Sequence, residues 1–228
     1  MSTKKEQSIN KIICCFNEMA DIVLAQLSLI EKLMNENEIN SQMELIVKIK
    51  DNERKIDRYE IEVSDKFINS IVLYQPLASD IRKLVAIYRM TINLERIGDL
   101  VMNIAYSLEK LRNSDEYKAM SDVILNMLIS GKTMVEKSLL SFVNSNTDFA
   151  IWTIKNDSVV DDMNQKLLVD SISRAKISER TRELLLSYTD MKNIITNIER
   201  IADHATNIAE ATIYSLQGTD IRHTDLEK

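Results

Sequence analysis

An acidic motif occurs twice in the chain, at residues 93–105 and 197–209. The two segments read NLERIGDLVMNIA and NIERIADHATNIA, and they keep a glutamate, an arginine, an aspartate and an asparagine in place. In the first copy the acids are Glu95 and Asp99, four positions apart. On a helix this spacing puts two carboxylates one turn apart on the same face. Such a pair can bind a cation through oxygen, or it can simply face solvent.

The second copy belongs to a longer internal repeat. Its acids, Glu199 and Asp203, lie 104 positions after the first pair. The same offset relates two further pairs of acids, which are Glu53 with Asp57 and Asp157 with Asp161. Nearer the N-terminus, MADIVL at 19–24 resembles MSDVIL at 120–125 at an offset of 101. The chain is therefore predicted to contain two homologous halves.

Long helices are the expected means of positioning these acids. The 228 residues include three glycines and one proline, so the frequent turns of a strand-rich fold are missing. Apolar residues recur at helical spacing through both motif segments. We predict an all-α fold of two tandem, pseudo-symmetric three-helix bundles, residues 1–113 and 114–228. The six long helices are predicted at residues 8–34, 39–73, 77–111, 115–143, 147–176 and 179–217, with Ser178 as an N-cap.

The spacing of the acids about the predicted turns indicates which of them meet. In an antiparallel hairpin about Pro76, residues equally distant from the proline lie level with each other. The level pairs are Asp57 with Glu95, each 19 positions away, and Glu53 with Asp99, each 23 positions away. The four acids of the second half have the same relation to position 180. Each half is thus expected to gather four carboxylates on two neighbouring helices.

Four carboxylates this close repel one another unless they take up a proton or a cation. Oxygen ligands favour hard cations such as Mg²⁺, Mn²⁺, Ca²⁺ or Fe³⁺. Zinc is less favoured, because only His204 could add a nitrogen ligand. His204 has Leu100 as its counterpart, and we expect it to be partly exposed and without function. The alternative is that the acids are ordinary solvated charge, and the residues alone leave both interpretations open.

Two other polar positions recur beside the acids. Arg96 and Arg200 could orient the carboxylates, although ordinary surface ion pairs are the favoured interpretation. Asn103 and Asn207 follow the distal acids by one turn, where a carboxamide could complete a ligand shell or hold a carboxylate. Asparagine has poor helix propensity, so its recurrence in both halves favours a role at the site.

Composition narrows the class of protein. The formal net charge of −6 disfavours general nucleic-acid binding, which needs basic residues to neutralise phosphates. Cys14 and Cys15 are adjacent, a spacing that rarely suits a disulfide, so a reduced intracellular protein is expected. We expect neither a signal peptide nor a membrane-spanning helix.

The sequence gives little reason to expect an enzyme. It has two histidines, no Gly-rich phosphate loop and no recognisable Ser-His-Asp or Cys-His arrangement. A ferritin-type carboxylate oxidase is one alternative, but that chemistry uses Glu-x-x-His pairs pointing into a four-helix bundle. A purely structural helical scaffold is another. The leading hypothesis is a metal-binding regulatory adaptor.

Two motifs together resemble the PhoU family of phosphate-uptake regulators. The segments LERIGD at 94–99 and IERIAD at 198–203 are similar to the family's E(D)-x-x-x-D signature. The segment QPLASDIR at 75–82 is similar to its Q-P-x-A-x-D-L-R connection. The resemblance covers essentially the whole chain. It implies two similar three-helix bundles that bear multinuclear metal clusters, most often of iron, with zinc, manganese or magnesium as alternatives.

The resemblance also implies a cellular role. Such a protein would negatively control phosphate uptake and phosphate-starvation signalling, acting on a phosphate ABC transporter and its sensor histidine kinase. It would be cytoplasmic, attached to the inner face of the membrane through these partners, and a homodimer. A soluble partner of a sodium–phosphate cotransporter is a related alternative. Residues 179–186 read ERTRELLL, unlike the connection at 75–82, so a partner is expected to contact only the first connection, around Asp80 and Arg82.

Overall fold

Six long α-helices and one short helix make up the described part of the protein. The structure is a computed structural model that describes residues 3–111, 114–174 and 181–222, apart from the side chains of residues 116 and 167–186. The helices are α1 (Lys4–Asn35), α2 (Ile39–Tyr74), α3 (Ala78–Leu111), α4 (Asp115–Lys118), α5 (Ser121–Val143), α6 (Thr147–Arg174) and α7 (Thr181–Gln217). The predicted all-α class and the six long helices are confirmed.

Two of the predicted helices differ from the observed ones near their N-terminal ends. Helix α1 begins four residues earlier than predicted, since Thr3 and Glu6 form a capping box that satisfies the first backbone N–H groups. The predicted helix 115–143 is divided into α4 and α5. The Ser114 side chain caps α4 by accepting a hydrogen bond from the N–H of Tyr117, and a turn follows at residues 119–120. Ser178 and the turn about position 180 lie outside the described residues.

The turn between α2 and α3 is short and tightly defined. Gln75 ends α2 in the left-handed conformation, with φ of 42°, and its N–H donates to the carbonyl of Ile71 at 3.1 Å. Pro76 is buried, and α3 begins two residues later. A connection this short makes the two helices antiparallel neighbours and sets the register of the acids on them.

A continuous apolar core joins the two halves. In each half the three long helices pack against one another, and α3 also packs against α7 while α1 packs against α5. The apolar stripe of α3 is buried from Ile87 to Leu111, and that of α7 is buried from Met191 to Thr212. With these faces turned inward, the acidic motifs lie beside the core, in the grooves between neighbouring helices.

Helix α1 is the one described helix that is long and apolar enough, by length and composition, to cross a membrane. Core helices of globular proteins pass the same test. Here the side chains of Ile12, Phe16 and Val23 are fully buried against the rest of the protein. The apolar character of α1 is therefore used in the core of this fold.

Candidate metal centre

The first acidic cluster lies between α2 and α3 and consists of Glu53, Asp57, Glu95 and Asp99. Burial, together with the nearby carboxylates of Asp57 and Asp99, raises the pKa of Glu53 to about 7, against the opposing effect of the hydrogen bond from Gln26. Burial also raises the pKa of Glu95, and the charges of Asp99 and Asp57 add to the effect. These mutual effects place the four carboxylates within electrostatic reach of one another, as the spacing about Pro76 predicts.

Helix α1 contributes a residue to this cluster that the sequence reasoning missed. Gln26 is fully buried, and its Nε2 donates to Glu53 Oε2 at 2.8 Å and to the carbonyl of Ile49 at 3.4 Å. Gly98 lies directly against these groups, because a Cβ placed there would be 2.8 Å from Glu53 Oε2. The apolar spacing of α1 was a signal for burial at position 26, but nothing in the sequence indicated its acidic partner.

The second acidic cluster lies between α6 and α7 and consists of Asp157, Asp161, Glu199 and Asp203. Burial, together with the charges of Asp203 and Asp161, raises the pKa of Asp157 to about 6, while the Thr206 hydroxyl acts in the opposite direction. Burial and neighbouring acids likewise raise the pKa values of Glu199 and Asp203. The structure therefore brings together all eight acids of the repeat in two sets of four.

Both clusters have donor chemistry that fits a hard cation. Glu53 Oε1 and Asp157 Oδ1 are buried oxygens without a hydrogen-bond partner. A cation would satisfy such oxygens and remove the repulsion among the carboxylates. Among the residues that the structure describes, however, no three His, Cys, Asp or Glu side chains already converge as ligands. The acids of each cluster therefore influence one another electrostatically without converging on a single point.

The recurrent arginines act on the acids in an exposed setting. Arg96 lies 3.4 Å from both Glu95 and Asp99, and its side chain is 56% exposed. Arg200 is also exposed, and its charge lowers the pKa values of Glu199 and Asp203 against the stronger effect of burial. The contacts of Arg96 are the surface ion pairs favoured from the sequence, whereas Arg200 acts on its cluster through its charge.

The recurrent asparagines lie one helical turn beyond Asp99 and Asp203. Asn103 and Asn207 are both exposed. In the described part of the chain, neither makes a hydrogen bond to a carboxylate of its cluster. Their expected part in the ligand shell stays a prediction.

His204 is partly exposed, as expected, and it also makes a hydrogen bond that the sequence did not indicate. It is half-buried between α7 and α3, and its Nδ1 lies 2.8 Å from Asn93 Oδ1. Burial, together with the charges of Arg200 and Arg96, lowers the pKa of His204 to about 4. Because Asn93 Nδ2 already donates to the carbonyl of Arg89, neutral His204 donates to the Asn93 oxygen. This hydrogen bond links the two halves.

The two residues expected to contact a partner have intramolecular neighbours. Asp80 pairs with Lys5 at 2.7 Å, which fixes the start of α1 beside the start of α3. Arg82 packs against Gly218, and its Nε is buried without a hydrogen-bond partner. The exposed surface beside them is apolar instead, since Leu77 at the turn is 76% exposed.

Comparison with known proteins agrees with the repeated architecture. The family model for the PhoU domain matches twice, at residues 16–108 and 120–212. A phosphate-specific transport system accessory protein PhoU homolog from a Burkholderia species is 31% identical over 179 residues, covering 78% of this chain and 75% of that protein. A protein of the same description from Clostridium acetobutylicum is 30% identical, with 83% and 84% covered. The crystal structure of PhoU from Pseudomonas aeruginosa matches with a TM-score of 0.83 at 22% identity, covering 93% of this chain and 99% of that one, and shows the same fold.

Proposed function

Because this chain belongs to the PhoU family, we propose that it regulates phosphate transport as an accessory protein of a phosphate transport system. The similar proteins are described as accessory proteins of such a system, and their similarity extends over most of this chain. The proposed action is negative control of phosphate uptake and of phosphate-starvation signalling. In this role the protein is an adaptor without catalytic activity, in keeping with its family.

The proposed adaptor binds metal ions in both halves. The observation that carries this proposal is the pair of four-acid clusters, each with a half-buried carboxyl whose buried oxygen lacks a partner. The acids would hold the cation, and Arg96 and Arg200 would limit the excess negative charge. A bound cation supplies positive charge that joins two helices in each half. The resemblance favours iron, with zinc, manganese or magnesium as alternatives.

The proposed partners are a phosphate ABC transporter and its sensor histidine kinase, with a sodium–phosphate cotransporter as the alternative. Docking is expected at the turn between α2 and α3, because residues 67–79 carry no charged side chain. Within this segment Val72, Leu73 and Leu77 are 68%, 67% and 76% exposed. Asp80 and Arg82 would define the shape of this apolar surface. A homodimer at the inner face of the membrane is the proposed working form.

Metal content tests the first part of this proposal. Protein purified without an affinity tag should contain metal, and elemental analysis should show that the metal content per chain follows the number of intact acidic clusters. The double variant Glu95→Ala/Asp99→Ala should lose the metal of the first cluster and keep that of the second. Glu109→Ala, which removes an exposed acid elsewhere on α3, is the matched control. Equal metal content in the double variant and the wild type would refute the first site and favour the scaffold alternative.

Recovery of partners tests the second part. The protein should capture subunits of a phosphate transporter or its sensor kinase from detergent-solubilised membranes, with mass spectrometry as the readout. Cells grown at high and low phosphate should differ in the amount recovered. Recovery of a cotransporter would support the alternative partner, and recovery of no phosphate-system protein would count against the proposed role.

A further inference from the structure

We propose that Gln26 is a positioning residue for Glu53, and that it makes the first metal cluster bind cations more tightly than the second. This inference rests on the metal binding proposed above and goes beyond it, because it makes the two clusters unequal. The motifs give no reason for inequality, since both halves carry two acids on each of two helices.

Gln26 is placed to hold Glu53 before any cation binds. Its Nε2 donates to Glu53 Oε2 at 2.8 Å and to the carbonyl of Ile49 at 3.4 Å. One amide thus fixes a carboxylate of α2 from a fully buried position on α1. A ligand that is already held loses less conformational freedom on binding, and groups that orient ligands commonly contribute tenfold or more to metal affinity.

Packing alone does not explain an amide at this position. Gln26 Oε1 is buried without a hydrogen-bond partner, which is unfavourable for folding. An apolar side chain of similar length would fill the same space without that cost. The oxygen lies toward α3, 3.3 Å from where a Cβ on Gly98 would be. A fully buried amide with a free acceptor thus lies against the first cluster.

Gly98 provides the room that this arrangement needs. A Cβ at this position would lie 2.8 Å from Glu53 Oε2 and 3.1 Å from Ile56 Cδ1. The first distance is shorter than real Cβ atoms tolerate, so a methyl group would displace the glutamate. The absence of a side chain therefore allows Gln26 and Glu53 to meet beside the backbone of α3.

The second half has neither feature. The repeat aligns Gln26 with Met127, at the offset of 101, and Gly98 with Ala202, at the offset of 104. Both counterparts are buried and apolar, so no amide on α5 takes the place of Gln26. The acid that corresponds to Glu53 is the shorter Asp157. The first cluster is thus tied to all three helices of its half, whereas the second involves α6 and α7.

Manganese titration of the metal-stripped full-length protein tests the inference. Wild-type protein should show two classes of Mn²⁺ site by calorimetry, with free Mn²⁺ followed in parallel by electron paramagnetic resonance. The variants Glu95→Ala/Asp99→Ala and Glu199→Ala/Asp203→Ala assign each class to a cluster. The tighter class should belong to the first cluster.

The variant Gln26→Met copies the residue of the second half. It should weaken Mn²⁺ binding at the first cluster about tenfold, as expected for losing one group that orients a ligand, and leave the second cluster unchanged. Metal-free Gln26→Met should unfold in urea close to the wild-type midpoint, because removal of the unpaired buried oxygen offsets the loss of the two hydrogen bonds from Nε2. Gly98→Ala should weaken the same cluster by displacing Glu53. Asn17→Met, which replaces an exposed amide on α1, is the matched control.

The outcomes separate the two proposals. Wild-type protein that binds no Mn²⁺ would overturn the proposed metal binding and this inference with it. Two classes that persist unchanged in Gln26→Met and Gly98→Ala would overturn only the positioning role. Equal weakening of both clusters, together with a lower urea midpoint, would also overturn it, since a general loss of packing would then account for the effect.

Discussion

Glu53 experiences opposing influences in the first cluster. Burial and the charges of Asp57 and Asp99 favour its neutral form, whereas the hydrogen bond from Gln26 favours its ionised form. Burial is the largest effect, so the folded protein holds the proton up to a pH of about 7. Near neutral pH, cation binding and proton release at this residue are therefore coupled.

The substitution Glu53→Gln should make the metal-free protein less sensitive to pH. The pKa of Glu53 rises from its usual 4.5 to about 7 on folding. The folded state therefore binds more protons between these values, and stability falls as the pH rises through them. After allowance for partial exposure, Glu53→Gln should reduce the loss of unfolding free energy between pH 5 and pH 8 by on the order of 1 kcal/mol.

Urea unfolding of metal-free protein between pH 5 and pH 8 measures this effect. The other acids with raised pKa values still contribute. The pH dependence of stability should therefore become smaller without disappearing. Glu44→Gln, an exposed acid on the same helix, should leave the profile unchanged. A wild-type pH dependence that survives intact in Glu53→Gln would show that this residue ionises normally in the folded protein.

His204 should titrate in the opposite sense. Its folded pKa of about 4 lies below the usual 6.5, so the unfolded chain binds more protons between these values and stability is lost as the pH falls through them. His204→Gln keeps an amide donor for Asn93 but has no titratable ring. Between pH 8 and pH 4.5 this variant should lose less unfolding free energy than the wild type, by on the order of 1 kcal/mol.

Two measurements check the His204 prediction. Urea unfolding of wild type and His204→Gln at both pH values gives the difference in stability. Nuclear magnetic resonance of the imidazole protons gives the pKa directly, and assignment is simple because the chain has two histidines, His204 and His223. A His204 titration midpoint above 6 would contradict the buried, neutral hydrogen bond to Asn93.

At the scale of elements, the sequence predicted the helices well and their ends less well. Apolar spacing located every long helix, and Gly218 ends the last one in a left-handed turn, as expected. The starts of α1 and α4 depend on a few capping hydrogen bonds. Such bonds involve Thr3 and Ser114, and similar polar residues occur in many places where no helix begins.

The turn between α2 and α3 should be the element that a partner contacts. Leu77→Ser replaces an apolar side chain with a small polar one. The fold should tolerate this change, because the Leu77 side chain is 76% exposed. Loss of one central apolar contact commonly costs about 1 to 2 kcal/mol of binding, or roughly a tenfold lower affinity. Capture of the proposed transport-system partner should fall accordingly.

Met43→Ser is the matched control for this surface. Met43 is 58% exposed near the start of α2, at the end of this helix opposite to the turn. Quantitative mass spectrometry of captured membrane proteins should show a decrease for Leu77→Ser alone. Equal capture by Leu77→Ser and wild type would remove the turn from the docking surface, and an equal decrease in both variants would indicate nonspecific adhesion.

At the scale of the whole molecule, the site was predictable where a short turn sets the register. Equal sequence distances from Pro76 were enough to predict that Glu53 lies beside Asp99, because residues on antiparallel helices joined by a tight turn meet at symmetric positions. Gln26 was not predictable in this way, since an amide is usually exposed and its burial depends on the packing of three helices. The contact between His204 and Asn93 depends on packing between the halves, 111 residues apart, which no local pattern determines.

The same packing between the halves predicts that the protein unfolds as one unit. Phe16 on α1 meets Phe142 on α5 edge to face, with ring centroids 5.5 Å apart. Lys132 on α5 pairs with Glu31 on α1 at 2.7 Å, and α3 packs along α7. Neither half buries its apolar faces without the other, so local damage in one half should destabilise both.

A core substitution far from the second half tests this cooperativity. Ile49→Ala removes a fully buried side chain of α2 and should cost about 2 to 5 kcal/mol. The single tryptophan, Trp152, lies on α6 in the second half, so its fluorescence reports on the half that was not altered. The urea transitions followed by Trp152 fluorescence and by helical circular dichroism should shift together and stay superimposed, because a shared core transmits the loss. A fluorescence transition that stays at the wild-type urea concentration while the circular dichroism transition splits in two would instead establish two independently stable halves.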